Sequence, residues 1–169
     1  MVDKVLPDWV QIVEMHAHRV FQVAMRVLGS VHDAEDISQD VFIEAFRIYQ
    51  EGQVNTWTGL LVRLATLRSI DHLRRTRHAA ELHEADCISE DDPFQKAVAT
   101  ELSEWLRQRL AGLPEQQAAV FVMHYFEQLP REEIATALEI STGSVSTALY
   151  KSRQRLLAQL AAFNRGNVK

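Results

Sequence analysis

EEIATALEISTGSVSTALYKSRQRLLAQL, running from Glu132 to Leu160, reads as a helix-turn-helix, and the rest of the chain is read outward from it. Ile134, Ala135 and Leu138 fall on one face of a short first helix, as a 3.6-residue period requires. Glu139-Ile140-Ser141-Thr142-Gly143 interrupts that helix. Ser141 or Thr142 can accept hydrogen bonds from the free amides of the next helix, and Gly143 is expected to relieve crowding at a sharp inter-helix angle. The second helix carries Val145, Leu149, Leu156 and Leu160 on its back and Ser144, Thr147, Lys151 and Arg155 on its front. Small hydroxyls can approach base edges and cations can meet phosphates, so this front suits a DNA major groove. An ordinary solvated helix carries a similar pattern, and the surrounding sequence must decide between them.

The surroundings point to an all-α chain. Its 169 residues contain only four prolines and six glycines, and β-branched residues form no alternating runs. With 47% hydrophobic and 24% charged residues it can build a core. The expected architecture is two small helical domains, 1–78 and 94–169, joined by a flexible acidic linker at 79–93 that holds no Lys or Arg after position 78. The net charge of −5 argues against a protein that simply coats DNA. Positive charge is nevertheless concentrated locally, at Arg63, Arg68, Arg74, Arg75 and Arg77, within what reads as one helix. The single Cys87 has no disulfide or CxxC partner, which fits a reducing compartment. No apolar run approaches membrane-spanning length and the N-terminus lacks a signal-peptide core, so a cytoplasmic protein with no membrane insertion is expected.

In order, a first helix is expected from Pro7 to Leu28, with Val13, Val20, Phe21, Ala24 and Leu28 buried and Gly29 ending it. His16 and His18 point away from each other on that helix and are not expected to share a metal. Asp33 is a candidate N-cap for a second helix, Ala34 to Tyr49, whose core face is Ile37, Val41, Phe42, Ala45 and Phe46. Glu35, Asp36, Gln39 and Asp40 crowd its start, either complementing the helix dipole or forming an acidic docking surface. A loop with an exposed Trp57 precedes the third helix, Gly59 to His78, where Leu60, Leu61, Leu64, Leu67, Ile70 and Leu73 are expected to be buried. Cations beside a stacking aromatic are what single-stranded DNA binding uses. After the linker come a helix from Phe94 to Leu113, with Val98, Leu102, Trp105, Leu106 and Leu110 in register, and another from Gln116 to Glu127.

Three blocks in this order resemble the extracytoplasmic-function (ECF) sigma factors, bacterial initiation factors reduced to regions 2 and 4. They are Asp33-Ala34-Glu35-Asp36-Ile37-Ser38-Gln39-Asp40-Val41-Phe42, then Ser69-Ile70-Asp71-His72-Leu73-Arg74-Arg75, then Leu113-Pro114-Glu115-Gln116 with Glu132-Glu133-Ile134-Ala135 and Gly143-Ser144-Val145. The resemblance implies docking of core RNA polymerase by Asp36, Gln39 and Asp40. It implies that Trp57, Arg63, Arg68, Arg74 and Arg75 lie near the −10 element and its melted strand. For the −35 element it implies His124, Ser144, Ser146, Thr147, Tyr150 and Lys151, and it further implies an inhibitory anti-sigma factor as a partner.

The chain departs from the family at Thr66-Leu67, where Arg-Asn is common, so a polar group expected near the melted strand is missing. Ser146-Thr147-Ala148 stands where a basic-Ser-Arg triplet is usual, and His124 stands where an arginine is expected. Fewer phosphate-seeking cations imply a weak −35 contact. The alternative function is an autonomous helix-turn-helix regulator, which would show a dimer and a palindromic operator but leaves the acidic block unexplained. An enzyme finds no nucleophile paired with a base, no phosphate-binding glycine loop and no metal cluster in the sequence, and no cofactor or metal is expected.

Overall fold

A computed structural model describes residues 8–166 apart from 53, 55 and 83–94, and the regular elements among them are all helical. In chain order they are α1 (Trp9–Leu28), α2 (Val31–Glu51), α3 (Trp57–Leu82), α4 (Gln95–Gly112), α5 (Glu115–Phe121), a π turn (Val122–Phe126), α6 (Arg131–Leu138) and α7 (Thr142–Gly166). Gly29 ends α1 at φ 69°, its N–H donating to the Met25 carbonyl at 2.8 Å, in the left-handed conformation that glycine adopts without cost. The cap of α2 is Ser30, whose Oγ accepts from the Asp33 N–H at 3.3 Å, and the helix starts at Val31. Asp33 is therefore inside the first turn and is not the N-cap that its spacing to Asp36 suggested.

The third helix corrects two further expectations. It starts at Trp57, so that residue is not in a loop, and it runs to Leu82, so residues 79–82 of the expected linker are helical. Ala79, Ala80, Glu81 and Leu82 are strong helix formers and carry the helix through. The remainder of the acidic stretch, with Cys87, lies outside the described residues.

α3 is the middle layer of the molecule. One core cluster joins Val20, Val23 and Ala24 of α1, Ile37, Val41 and Ala45 of α2, and Leu61, Val62, Leu64 and Ala65 of α3 to Met123, Leu129, Ile134, Val145 and Leu149 from the C-terminal half. A second joins Val27 and Ile70 to Leu110, Leu113, Ala118, Ala119, Val122 and Leu156. The two helical halves thus share their cores. The expected apolar stripes hold with exceptions: Ile12 is buried where Val13 was expected, Phe46 is 39% exposed and Leu102 is 47% exposed.

The helix expected from Gln116 to Glu127 widens at its end. The Glu127 N–H reaches the Val122 carbonyl at 3.2 Å and the Leu129 N–H reaches that of Met123 at 3.1 Å. The wider turn lets consecutive residues serve different cores, Val122 the second and Met123 the first.

In the helix-turn-helix, α6 ends at Glu139, a non-glycine residue at φ 56°. The Ile140 N–H bonds the Ala135 carbonyl at 3.0 Å, and the Glu139 N–H bonds that of Thr136 at 3.3 Å. Ser141 caps α7 by accepting the Ser144 N–H at 3.0 Å. Gly143, expected to relieve crowding, has only the Ser141 hydroxyl, at 3.8 Å, near the position of an added Cβ. The turn's left-handed residue is Glu139, and Gly143 is an ordinary first-turn residue of α7. Two thermal-unfolding measurements check this. Gly143→Ala should stabilise by about 0.5 kcal/mol through helix propensity, and Glu139→Gly by about 1 kcal/mol through release of left-handed strain. Destabilisation by Gly143→Ala would return the turn's steric demand to that position.

Candidate nucleic-acid and protein interface

Asp36, Gln39 and Asp40 lie three and four residues apart on α2, which puts them on one side of the helix, and all three are exposed. The Asp36 carboxylate is 3.6 Å from His32 Nε2, with both groups open to solvent, so little of its charge is consumed there. Asp33, half-buried, instead meets His72 Nε2 of α3 at 3.5 Å and ties α2 to α3. Sequence reading missed Ile43. It is 54% exposed and continues the stripe seven residues after Asp36 and three after Asp40. The signal was an apolar residue in register with an acidic face.

The five candidate −10 residues of α3 are not brought together. Trp57 is half-buried in an aromatic cluster, its ring centroid 6.1 Å from that of Trp9 and 5.9 Å from that of Tyr49. It is a packed residue and not the open stacking platform that its sequence context suggested. Arg68 points to α2, donating Nε to Glu44 Oε2 at 2.8 Å, a hydrogen bond that raises its pKa above the ordinary arginine value despite partial burial. Arg75 is exposed and pairs within the helix to Asp71 at 3.2 Å. Arg63 and Arg74 face the C-terminal half. Arg63 Nη1 lies 3.8 Å from Glu139 Oε1, and Arg74 donates Nη2 to the Leu113 carbonyl at 2.7 Å and Nε to the Ala111 carbonyl at 3.4 Å, with Glu115 at 3.5 Å.

Thr66, the departure expected to empty a polar position beside a melted strand, is fully buried, and its hydroxyl has no protein partner. One helical turn before Ile70, it points toward the interior, and half-buried Leu67 packs on the second cluster. The departure therefore concerns packing between the halves in this arrangement.

On α7, Ser144, Thr147, Tyr150 and Lys151 are exposed, Tyr150 to 66%, while Ser146 is half-buried. Ser141, Gly143, Ser144, Thr147 and Lys151 line one open cleft with Gln116 and Gln117, so α5 and the start of α7 frame a common concave surface. Exposed Gln116 carries the amide chemistry of a base-edge or phosphate contact, and sequence reading had placed it only in a family block, without a contact role. The Ser144 and Ser141 hydroxyls are 2.9 Å apart, and Ser146 Oγ is 3.4 Å from Arg131 Nη1. His124 stands apart in the π turn, half-buried, with Nδ1 3.3 Å from the Leu129 carbonyl. Its ring packs edge-on to Tyr125, so it supports local structure and not the α7 front.

The family profile for sigma-70 region 2 matches residues 12–79, and that for sigma-70 region 4 matches residues 103–156. The chain is 34% identical over 161 residues to the ECF RNA polymerase sigma factor SigE of Mycolicibacterium smegmatis, aligning over 92% of its own length and spanning 63% of that relative. It is 31% identical over 166 residues to the ECF RNA polymerase sigma factor SigW of Bacillus subtilis, over 88% of this chain and 87% of that protein. Among solved structures, CnrH in complex with the cytosolic domain of CnrY superposes with a TM-score of 0.60 at 22% identity, covering 91% of this chain and 88% of that one. The sigma factor RpoE of Bartonella quintana, bound to the anti-sigma factor NepR, gives 0.57 at 16% identity, covering 92% and 98%. Region 2 thus corresponds to α1–α3 and region 4 to the helices around the helix-turn-helix, and the chain belongs to the ECF RNA polymerase sigma factors of the sigma-70 family.

Proposed function

We propose that this chain binds core RNA polymerase through the acidic stripe of α2 and directs it to promoters whose −10 element is engaged by residues 1–78 and whose −35 element is read by residues 94–169. The observation that carries this reading is the exposed row Asp36, Gln39 and Asp40 in a chain of this family, with Ile43 giving the row an apolar end. Negative charge on an exposed helix face, free of a strong internal partner, suits a basic surface on a larger protein. The factor contributes recognition, and polymerase contributes all catalysis, in the cytoplasm where polymerase works. No described helix is long and apolar enough to cross a membrane.

Promoter specificity then comes from two weak contacts tied together on one enzyme, whose linkage raises the effective concentration of each. On the −35 side, Ser144, Thr147, Tyr150 and Lys151 form the exposed front of α7, and only Lys151 among them is cationic. An isolated region 4 with so few cations should bind a promoter fragment weakly at physiological salt. An anti-sigma partner belongs to this proposal as well, since the structural neighbour RpoE was solved in complex with the anti-sigma factor NepR.

Pull-down with bacterial core RNA polymerase tests the docking face. The double variant Asp36→Ala, Gln39→Ala should lose at least about tenfold in affinity, as truncation of a central interface contact does, while its helical spectrum and unfolding temperature stay put because both side chains are exposed. Normal binding by that variant would remove the docking assignment. For the −35 side, Lys151→Ala should lower transcription only from promoters with a −35 element and reduce the salt slope of binding by about one. An equal loss on promoters lacking that element would mean Lys151 acts elsewhere.

A further inference from the structure

The end of α3 and the second half of α4 enclose a cleft of about 410 Å3, a volume ordinary for a small-molecule site. Three guanidinium side chains line it, Arg77 from α3 and Arg107 and Arg109 from α4, against one carboxylate, that of Glu104. The chain as a whole has a net charge of −5, so this local surplus of positive charge does not reflect general basicity. Leu73 and Thr76 complete the α3 wall with an apolar surface and a hydroxyl.

Internal partners leave most of that charge unanswered. Arg109 has no ion-pair partner among the described residues. Its guanidinium carbon lies 5.8 Å from the centroid of the Trp105 ring, and its Nε is buried without a hydrogen-bond partner. Arg107 has one ion-pair partner among the described residues, Glu104 at 3.6 Å on the same helix, a carboxylate 60% exposed that consumes little of the charge. The Arg107 guanidinium is wedged against the C-terminus of α1, where a Cβ on Gly29 would lie 2.3 Å from Cζ. Shape holds it there more than charge does. The carbonyl end of α4 would repel an anion, but it is already covered. Arg74 donates to the carbonyls of Ala111 and Leu113, and Arg77 to that of Gln108 at 3.3 Å.

We propose that this cleft binds a polyphosphate anion, two or more linked phosphoryl groups, free or carried on a nucleoside. Guanidinium forks match phosphate oxygens, and half-buried, weakly paired arginines gain more from an anion than solvated ones do. Three cations facing one carboxylate call for a ligand with more than one negative charge, and Leu73 offers a base an apolar surface. The inference goes beyond the sigma-factor reading and does not rest on it, because the site belongs to the free chain.

Calorimetric titration of the free chain with inorganic pyrophosphate, tripolyphosphate and adenosine triphosphate tests the site, at matched ionic strength and with a chelator in place of magnesium. A single pyrophosphate should bind per chain, at least about tenfold more tightly than sulfate. Arg109→Gln should weaken it at least about tenfold. Arg77→Gln, at the exposed rim, should weaken it about threefold, and it decides the matter if loss of the Trp105 contact keeps the first variant from folding. Arg153→Gln, an exposed position of α7 outside the cleft, should change nothing. Equal affinity for tripolyphosphate and adenosine triphosphate would assign recognition to the phosphates, whereas a nucleotide bound about tenfold more tightly would add a nucleoside subsite over Leu73. Absence of saturable binding, sulfate bound as tightly as pyrophosphate, unchanged affinity in the cleft variants or an equal loss in Arg153→Gln would overturn the proposal. Displacement of pyrophosphate by random single-stranded DNA of about 20 nucleotides, with equal potency per phosphate, would overturn it too and make the cleft a nucleic-acid contact. Polymerase takes no part in the titration, so its result and that of the docking test are independent.

Discussion

The burial of α3 on both sides is the constraint on which the rest of the structure depends. Leu61, Leu64 and Ala65 pack against the first two helices, while Ile70 and the neighbouring turn pack against α4, α5 and α7. A helix enclosed on two sides leaves only part of its surface to solvent, and each polar residue it turns inward must find a partner or stay unsatisfied. Arg68 finds Glu44, Arg74 finds the end of α4, and the hydroxyls of Thr66 and Ser69 find no protein partner. The charge pattern along α3 is therefore distributed among three surroundings, although it looks uniform along the chain.

This distribution separates two kinds of functional surface. The α2 stripe and the α7 front are built from residues that no other element covers, so their chemistry is available in the arrangement described. Arg63, Arg74 and Arg77 of α3 are built into contacts between halves, while Arg68 pairs with α2 and Arg75 within its own helix. Under the proposed function, an open α2 stripe and internally paired α3 arginines limit non-specific nucleic-acid binding, to which the net charge of −5 also contributes. Anion-mimicking carbonyls at a helix end suit this role, because they satisfy a guanidinium without a full opposing charge.

Much of the fold was legible in the chain itself. The 3.6-residue stripes located the described helices, Gly29 marked a helix end, and the Ser141-Thr142 pair marked the start of α7, where Ser141 is the cap, because each signal is local: side-chain periodicity, a left-handed glycine, a hydroxyl facing free amides. Errors fell where two local signals competed. Ser30 and Asp33 are both good caps, and the one with extended backbone before the first turn won. Gly143 looked like the residue of the sharp turn, yet Glu139 takes the left-handed conformation there, held by the two backbone bonds that close α6.

By itself, the sequence determined an all-helical chain, the ECF family and the surface stripes Asp36, Gln39, Asp40 and Ser144, Thr147, Lys151, because spacing on one helix fixes which side chains share a face. Only the tertiary structure decided which of those faces are open. Trp57 and Arg74 illustrate the limit: nothing within their own helix says that one ring meets Trp9 and Tyr49, or that one guanidinium meets the far end of α4, some forty residues along the chain. Such pairings depend on how whole helices pack, a property of summed burial across both halves and not of any local run of residues.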